Sequence, residues 1–154
     1  MDLLGRKVVM KNGEAMRLYI AEVEASIKEA GQYEELKQYA DRLKGALEQL
    51  QKVTLYRVQF ALRGEVEEFL ADASLYLELF GIIAVAWQWL VQGIAAQKGL
   101  SGGCSNTEKA FYQGKLHTMK YFFHYEIPKI QGLGARLMEA DGLTIDAGTP
   151  VFED

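Results

Sequence analysis

His117 and His124 are the only histidines in the chain, seven residues apart with Lys120 between them. On a helix that spacing is two turns, which separates the bases of the rings by about 10 Å, too far for one mononuclear metal. Neither an HExxH nor a Glu-x-x-His pair occurs, so zincin-type and di-iron carboxylate chemistry both lack ligands. The two rings are expected at a surface or interface, beside Tyr121 and Tyr125. Cys104 is the single cysteine and lies with Ser101 and Ser105 in "LSGGCSN". No histidine stands near it in sequence to act as a base, so a nucleophile is unsupported there. The same stretch is glycine-rich and precedes a helix, which could suit an anion. With no strand before it, a hinge is the better reading. Glu78 and Glu126 sit beside aromatic residues and are expected as boundary carboxylates in water, not as general acids. No catalytic, cofactor-binding or metal-ligating residue is assigned from these spacings.

The helices that would position these groups are legible from apolar periodicity. After an extended start over residues 1–11, Asn12 is expected to cap a helix whose inner face reads Met16, Tyr19, Ile20, Val23, Ile27 and Ala30, with Gly31 as its stop. A second helix begins near Tyr33 and carries Leu36, Tyr39, Leu43, Leu47, Leu50, Leu55, Val58 and Leu62, ending near Gly64. A third starts near Glu65 with Val66, Phe69, Leu70, Ala73, Leu77 and Phe80 inward, and its early acids suit the helix dipole. Asn106 or Thr107 is expected to cap a fourth, with Tyr112, Leu116, Met119, Phe123, Ile127, Ile130 and Leu137 inward and a kink at Pro128. The tail, residues 141–154, lacks periodicity and is expected to be irregular. The fold class is therefore all-α: a four-helix, bundle-like, up-down arrangement over residues 12–140 with a kinked last helix.

The run from Leu79 to Gln97 has no charged side chain, close to the roughly 20 residues of a membrane span. Gln88 and Gln92 at its middle, and neighbours with clear polar faces, favour the central helix of a bundle. Gly81 and Gly93 in it are expected to let neighbouring backbones approach. The net charge of −4 with 25% charged residues gives no general attraction to phosphate backbones, so no nucleic-acid partner is expected. The balance is uneven: residues 1–63 hold 11 Lys/Arg against 9 Asp/Glu, and residues 64–154 hold 6 against 12. The acidic half is expected to be a solvated face. One cysteine excludes an intrachain disulfide and a cysteine-based zinc site, which suits a reducing, cytoplasmic setting.

Three segments carry a resemblance. "LLGRK" at Leu3 to Lys7, "DASLYLELFGIIAVAWQWL" at Asp72 to Leu90 and "FYQGKLHTMKYFFHYEIPKI" at Phe111 to Ile130 resemble the extra C-terminal helical domain of one branch of the acyl-CoA dehydrogenases. The likeness spans about residues 2–140 and includes Trp87, Trp89 and Pro128. It implies a parent flavoprotein of fatty acid metabolism, a homo-oligomeric oxidoreductase. Such an enzyme removes hydrogens from Cα and Cβ of an acyl-CoA thioester, using FAD and then an electron-transfer flavoprotein. In that family the nucleotide contacts and the proton-abstracting glutamate precede the "LLGRK" junction, and this chain holds no Tyr-Glu-Gly-Thr motif. The resemblance thus implies no catalytic residue and no cofactor in this chain itself. It implies a structural role beside an upstream dehydrogenase core, as a piece of a longer enzyme or a separately encoded relative. The alternative is a free-standing helical interaction or small-ligand-binding module.

Overall fold

The computed structural model describes residues 2–139 and 141–146, with side chains described for 13–139, 141–143 and 145. It is all-α, with no strand among the described residues. Helix α1 runs Asp2–Ala30, followed by a 3-10 turn at Glu34–Leu36 and helix α2 over Lys37–Leu62. The short α3 is Val66–Leu70, α4 is Ala73–Ser101, α5 is Asn106–Tyr125, α6 is Lys129–Leu137 and α7 is Leu143–Asp146. α4 packs on α1, α2, α5 and α6, and α2 also meets α1, α3 and α6.

The apolar faces of α1 and of the α5–α6 stretch lie where their periodicity puts them. Val23, Ala30, Met119, Phe123, Ile130 and Leu137 are buried, with Met16, Tyr19, Ile20, Ile27, Leu116 and Ile127 packed against them. Gly31 ends α1 and its amide donates to the Ile27 carbonyl at 3.0 Å.

Several boundaries differ from expectation, each for a local reason. α1 is already helical from Asp2, so residues 2–11 are not extended and Asn12 lies inside a helix instead of capping one. The expected third helix is two: Asp72 takes a left-handed backbone, φ 60° and ψ 25°, and divides α3 from α4. A single helix cannot continue through that conformation, which Asp tolerates better than most residues. The break rotates α3 out of phase, leaving Val66 and Leu70 exposed, and Leu77 in the first turns of α4 is exposed as well. Ser105, not Asn106 or Thr107, caps α5, its Oγ accepting from the Glu108 amide at 3.2 Å. Pro128 does not kink a continuous helix. It is the residue before α6, across a turn from the end of α5, where its missing amide proton is no loss.

The inner face of α2 also departs from expectation after Leu50. Val53, Arg57 and Phe60 are the buried positions there, while Leu55 and Leu62 are 68% and 50% exposed. A step from 50 to 55 moves about 140° around a helix, whereas 50, 53, 57 and 60 stay on one side. Helical phase therefore outweighs hydrophobicity, and an arginine occupies a core position.

α4 is long and apolar enough to cross a bilayer on length and composition, and 44% of its most apolar 18-residue window is buried inside the fold. Leu79, Ile83, Ala86, Leu90, Ile94 and Ala96 face the core, whereas Val85 and Val91 are partly open. It is thus the most contacted helix but not one enclosed on every side. A Cβ added at Gly93 would stand 2.5 Å from Met119 Sδ, and one at Gly99 would overlap the Tyr112 ring, so these two positions admit α5 closely. Gly81 has open space around it and does not serve the close approach expected of it.

Candidate functional site

The sequence-level candidates are dispersed by the fold. His117 is exposed on α5. His124 lies two turns further on and bonds to α2: Arg42 approaches Nδ1 at 3.1 Å, and the Tyr39 hydroxyl lies 3.4 Å from Nε2. A guanidinium only donates, so Nδ1 accepts and the ring proton belongs on Nε2. This ties α5 to α2 and leaves the ring no free base nitrogen for a substrate. Glu78 is exposed, and Glu126 accepts from Lys129 Nζ at 2.8 Å across the α5–α6 turn. Ser101 closes α4, Ser105 caps α5 and Cys104 is half-buried between them. Among the described residues no group of three or more His, Cys, Asp or Glu side chains could hold a metal ion.

The strongest polar arrangement is one that periodicity did not reveal. Arg57 is 5% exposed, and its Nη2 donates to the carbonyls of Glu68 at 2.7 Å, Phe69 at 3.3 Å and Ala71. These are C-terminal carbonyls of the short α3, which lack helical donors of their own. Three carbonyls of that corner are thus held by one buried cation. Arg136 on α6 grips the next residue: it bonds Asp72 Oδ2 at 3.1 Å and Asp141 through both terminal nitrogens, at 2.6 and 3.0 Å. The bidentate geometry is the strong form of this pair. Hydrogen bonding from Arg136 holds the Asp141 carboxyl below the usual carboxylate range, and Asp141 in turn raises Arg136. The signal available in sequence was Arg57 itself, in phase with Val53 and Phe60.

The remaining shifted groups are structural too. Burial pushes Tyr19, Tyr39 and Tyr76 upward. Tyr76 reaches Thr54 Oγ1 at 2.7 Å, and since that oxygen donates to the Leu50 carbonyl at 2.7 Å, the phenol is the donor between them. Tyr19 stacks on Phe80 at 5.0 Å and meets Trp87 edge-on at 5.5 Å, with its buried hydroxyl unpartnered among the described residues. Trp87 Nε1 donates to Ser26 Oγ at 2.9 Å.

A shallow depression of about 240 Å³ lies between α1 and α4, lined by Ser26, Glu29, Val91, Ile94, Ala95 and Lys98. Ligand clefts usually run from about 300 to 1,000 Å³ with convergent polar groups. Here the polar groups are the Lys98–Glu29 ion pair at 2.6 Å, already satisfied by each other. A flavin needs a long slot and backbone amides turned toward its phosphates, and this helical wall provides neither, so these residues do not fit FAD.

A family model described as acetyl-CoA dehydrogenase C-terminal like matches residues 19–147. No curated protein matches the chain. The matched span contains two of the three resembling segments, Asp72 to Leu90 and Phe111 to Ile130, and leaves out Leu3 to Lys7. Within it lie the buried Arg57, the Asp72 corner, the α4–α5 packing and Pro128. The chain belongs to the acetyl-CoA dehydrogenase C-terminal-like family.

Proposed function

We propose that this chain is a structural and assembly domain of an FAD-dependent acyl-CoA dehydrogenase, packing on the catalytic core or a neighbouring subunit and not catalytic by itself. Family membership supports the parent activity, and one observation carries the structural role. The one charged core side chain described, Arg57, points its guanidinium at backbone carbonyls, where it fixes a corner instead of facing a cleft. Abstraction of a proton beside a thioester needs a base within reach of that proton, and hydride transfer needs a flavin on the opposite side. Both belong to the core domains in this reading, as do the contacts to an electron-transfer flavoprotein. The setting proposed is cytoplasmic, in fatty acid metabolism.

Exposed apolar side chains on three elements fit a domain with neighbours to cover them: Leu18, Leu55, Val66 and Leu70 are each more than half exposed. The test is co-expression with an acyl-CoA dehydrogenase core encoded alongside it. Co-purification in equal amounts, with a higher melting temperature for the core than when it is expressed alone, is expected. A core indifferent to the chain, in stability and in activity, would leave a free-standing interaction or ligand-binding module as the better account.

A further inference from the structure

Residues 65–80 meet the requirements of one continuous helix, yet the chain breaks them at Asp72. They contain no glycine or proline, and Val66, Phe69, Leu70, Ala73, Leu77 and Phe80 fall within about 100° of one helix circumference. The corner leaves much of that stripe open, with Val66, Leu70 and Leu77 58%, 58% and 68% exposed. It also leaves α4 without a side-chain N-cap. The three carbonyls that Arg57 holds, those of Glu68, Phe69 and Ala71, are the ones that an unbroken helix would pair with the amides of Asp72, Ala73 and Leu75. In the corner Leu75 instead donates to the Asp72 carbonyl at 3.0 Å. Arg57 thus stands in for helical bonds that the left-handed Asp72 interrupts, and Arg136 holds the Asp72 carboxylate at 3.1 Å.

We infer that this corner is a two-state hinge: with the Arg57 and Arg136 contacts released, residues 65–101 form one helix whose added turns lie along the N-terminal half of α1. α1 and α4 run parallel and in step, because Tyr19 stacks on Phe80 at 5.0 Å and Trp87 bonds Ser26 at 2.9 Å, both pairs 61 positions apart. Continued straight, that register sets residues 66–73 level with residues 5–12 of α1, which is helical from Asp2. Val66 and Leu70, open in the corner, then stand beside a helix whose sequence at that level includes Val8 and Val9. Each state satisfies the same carbonyls, by a guanidinium in one and by backbone amides in the other, so neither leaves them bare. Two packings with matched bonding make a bistable element, the kind on which conformational switches rest. Straightening lengthens α4 by about 12 Å. A neighbouring domain that fits only one of the two outlines selects that state by docking.

The test uses the full chain with two substitutions at one position. Asp72→Gly favours the left-handed corner, whereas Asp72→Ala disfavours it and suits a helix interior best. Both lose the Arg136 bond, so the difference between them reads the backbone alone. In isotope-labelled protein, Asp72→Ala is expected to give helical Cα chemical shifts unbroken from residue 66 to residue 101. Amide exchange at positions 72–74 is expected to be at least ten-fold slower than in Asp72→Gly. Nuclear Overhauser contacts from the Leu70 methyls to those of Val8 or Val9 are expected in the same variant. Wild type is expected to show microsecond-to-millisecond exchange at residues 66–75 in relaxation dispersion, its minor population raised several-fold by Arg136→Gln. Corner shifts retained in Asp72→Ala would overturn the hinge, as would random-coil shifts over residues 66–72, which mean melting in place of straightening. A wild type without exchange, unaltered by Arg136→Gln, would overturn it as well. An unbroken helix lacking the contacts to Val8 and Val9 would overturn its seat on α1.

Discussion

Arg57 Nη2 donates to the Glu68 carbonyl at 2.7 Å from a side chain that is 5% exposed. Its other acceptors, the carbonyls of Phe69 and Ala71, belong to the same corner. The guanidinium therefore replaces the donors that α3 lacks at its C-terminal end. Arg57→Ala removes these charge-assisted bonds and leaves buried carbonyls unsatisfied, a loss on the order of 3 kcal/mol. Chemical denaturation measures it, and hydrogen exchange is expected to rise first at residues 66–72.

Tyr19 offers the opposite sign. Its hydroxyl is buried without a partner among the described residues while its ring packs on Phe80 and Trp87. Tyr19→Phe keeps the ring and removes a desolvated group, so stability is expected to rise by about 1 kcal/mol. Thermal melting of the two proteins compares them directly.

Two glycines of α4 separate packing from propensity. Gly93→Ala brings a methyl to 2.5 Å from Met119 Sδ, with Leu36 behind at 3.6 Å, and is expected to cost about 1–3 kcal/mol through overpacking. Gly81→Ala enters open space and is expected to gain roughly 0.5–1 kcal/mol of helix propensity. Opposite shifts in denaturant midpoint are the outcome to look for.

Asp141 links stability to pH. Its carboxyl is held low by Arg136 and by the Leu143 amide, so it binds its proton less readily folded than unfolded. That contribution is fully present above the ordinary carboxylate range and is lost as pH falls through the lowered folded value. Asp141→Asn is expected to flatten the acid limb of the stability–pH curve. Unchanged acid dependence would mean that the pair does not persist in solution.

Much of this fold is readable in sequence because amphipathic helices announce their inner faces by spacing, as Val23, Ile27 and Ala30 do on α1 and Met119 and Phe123 on α5. The failures share a cause. Leu55, Leu62, Val66 and Leu70 count as inward by hydrophobicity, and their exposure follows from helix phase and from the left-handed Asp72, whose corner the Arg57 and Arg136 contacts hold. Those contacts join residues 11 to 64 positions apart, beyond the reach of any local pattern. The surroundings of the chemistry-bearing side chains are set by contacts between helices that no local spacing reveals. His124 shows this best: its neighbours Tyr39 and Arg42 lie on α2, 85 and 82 residues away.

The most direct test of the structural role is flavin and substrate spectroscopy on the purified chain. Incubated with FAD and passed over a sizing column, these 154 residues are expected to retain no flavin absorbance band and to show no acyl-CoA-dependent electron transfer. Joined to an upstream dehydrogenase core, both are expected to appear. A yellow protein from this chain alone, bleached on adding an acyl-CoA, would contradict the account and turn the search for a base to Glu78, Glu126, His117 and His124.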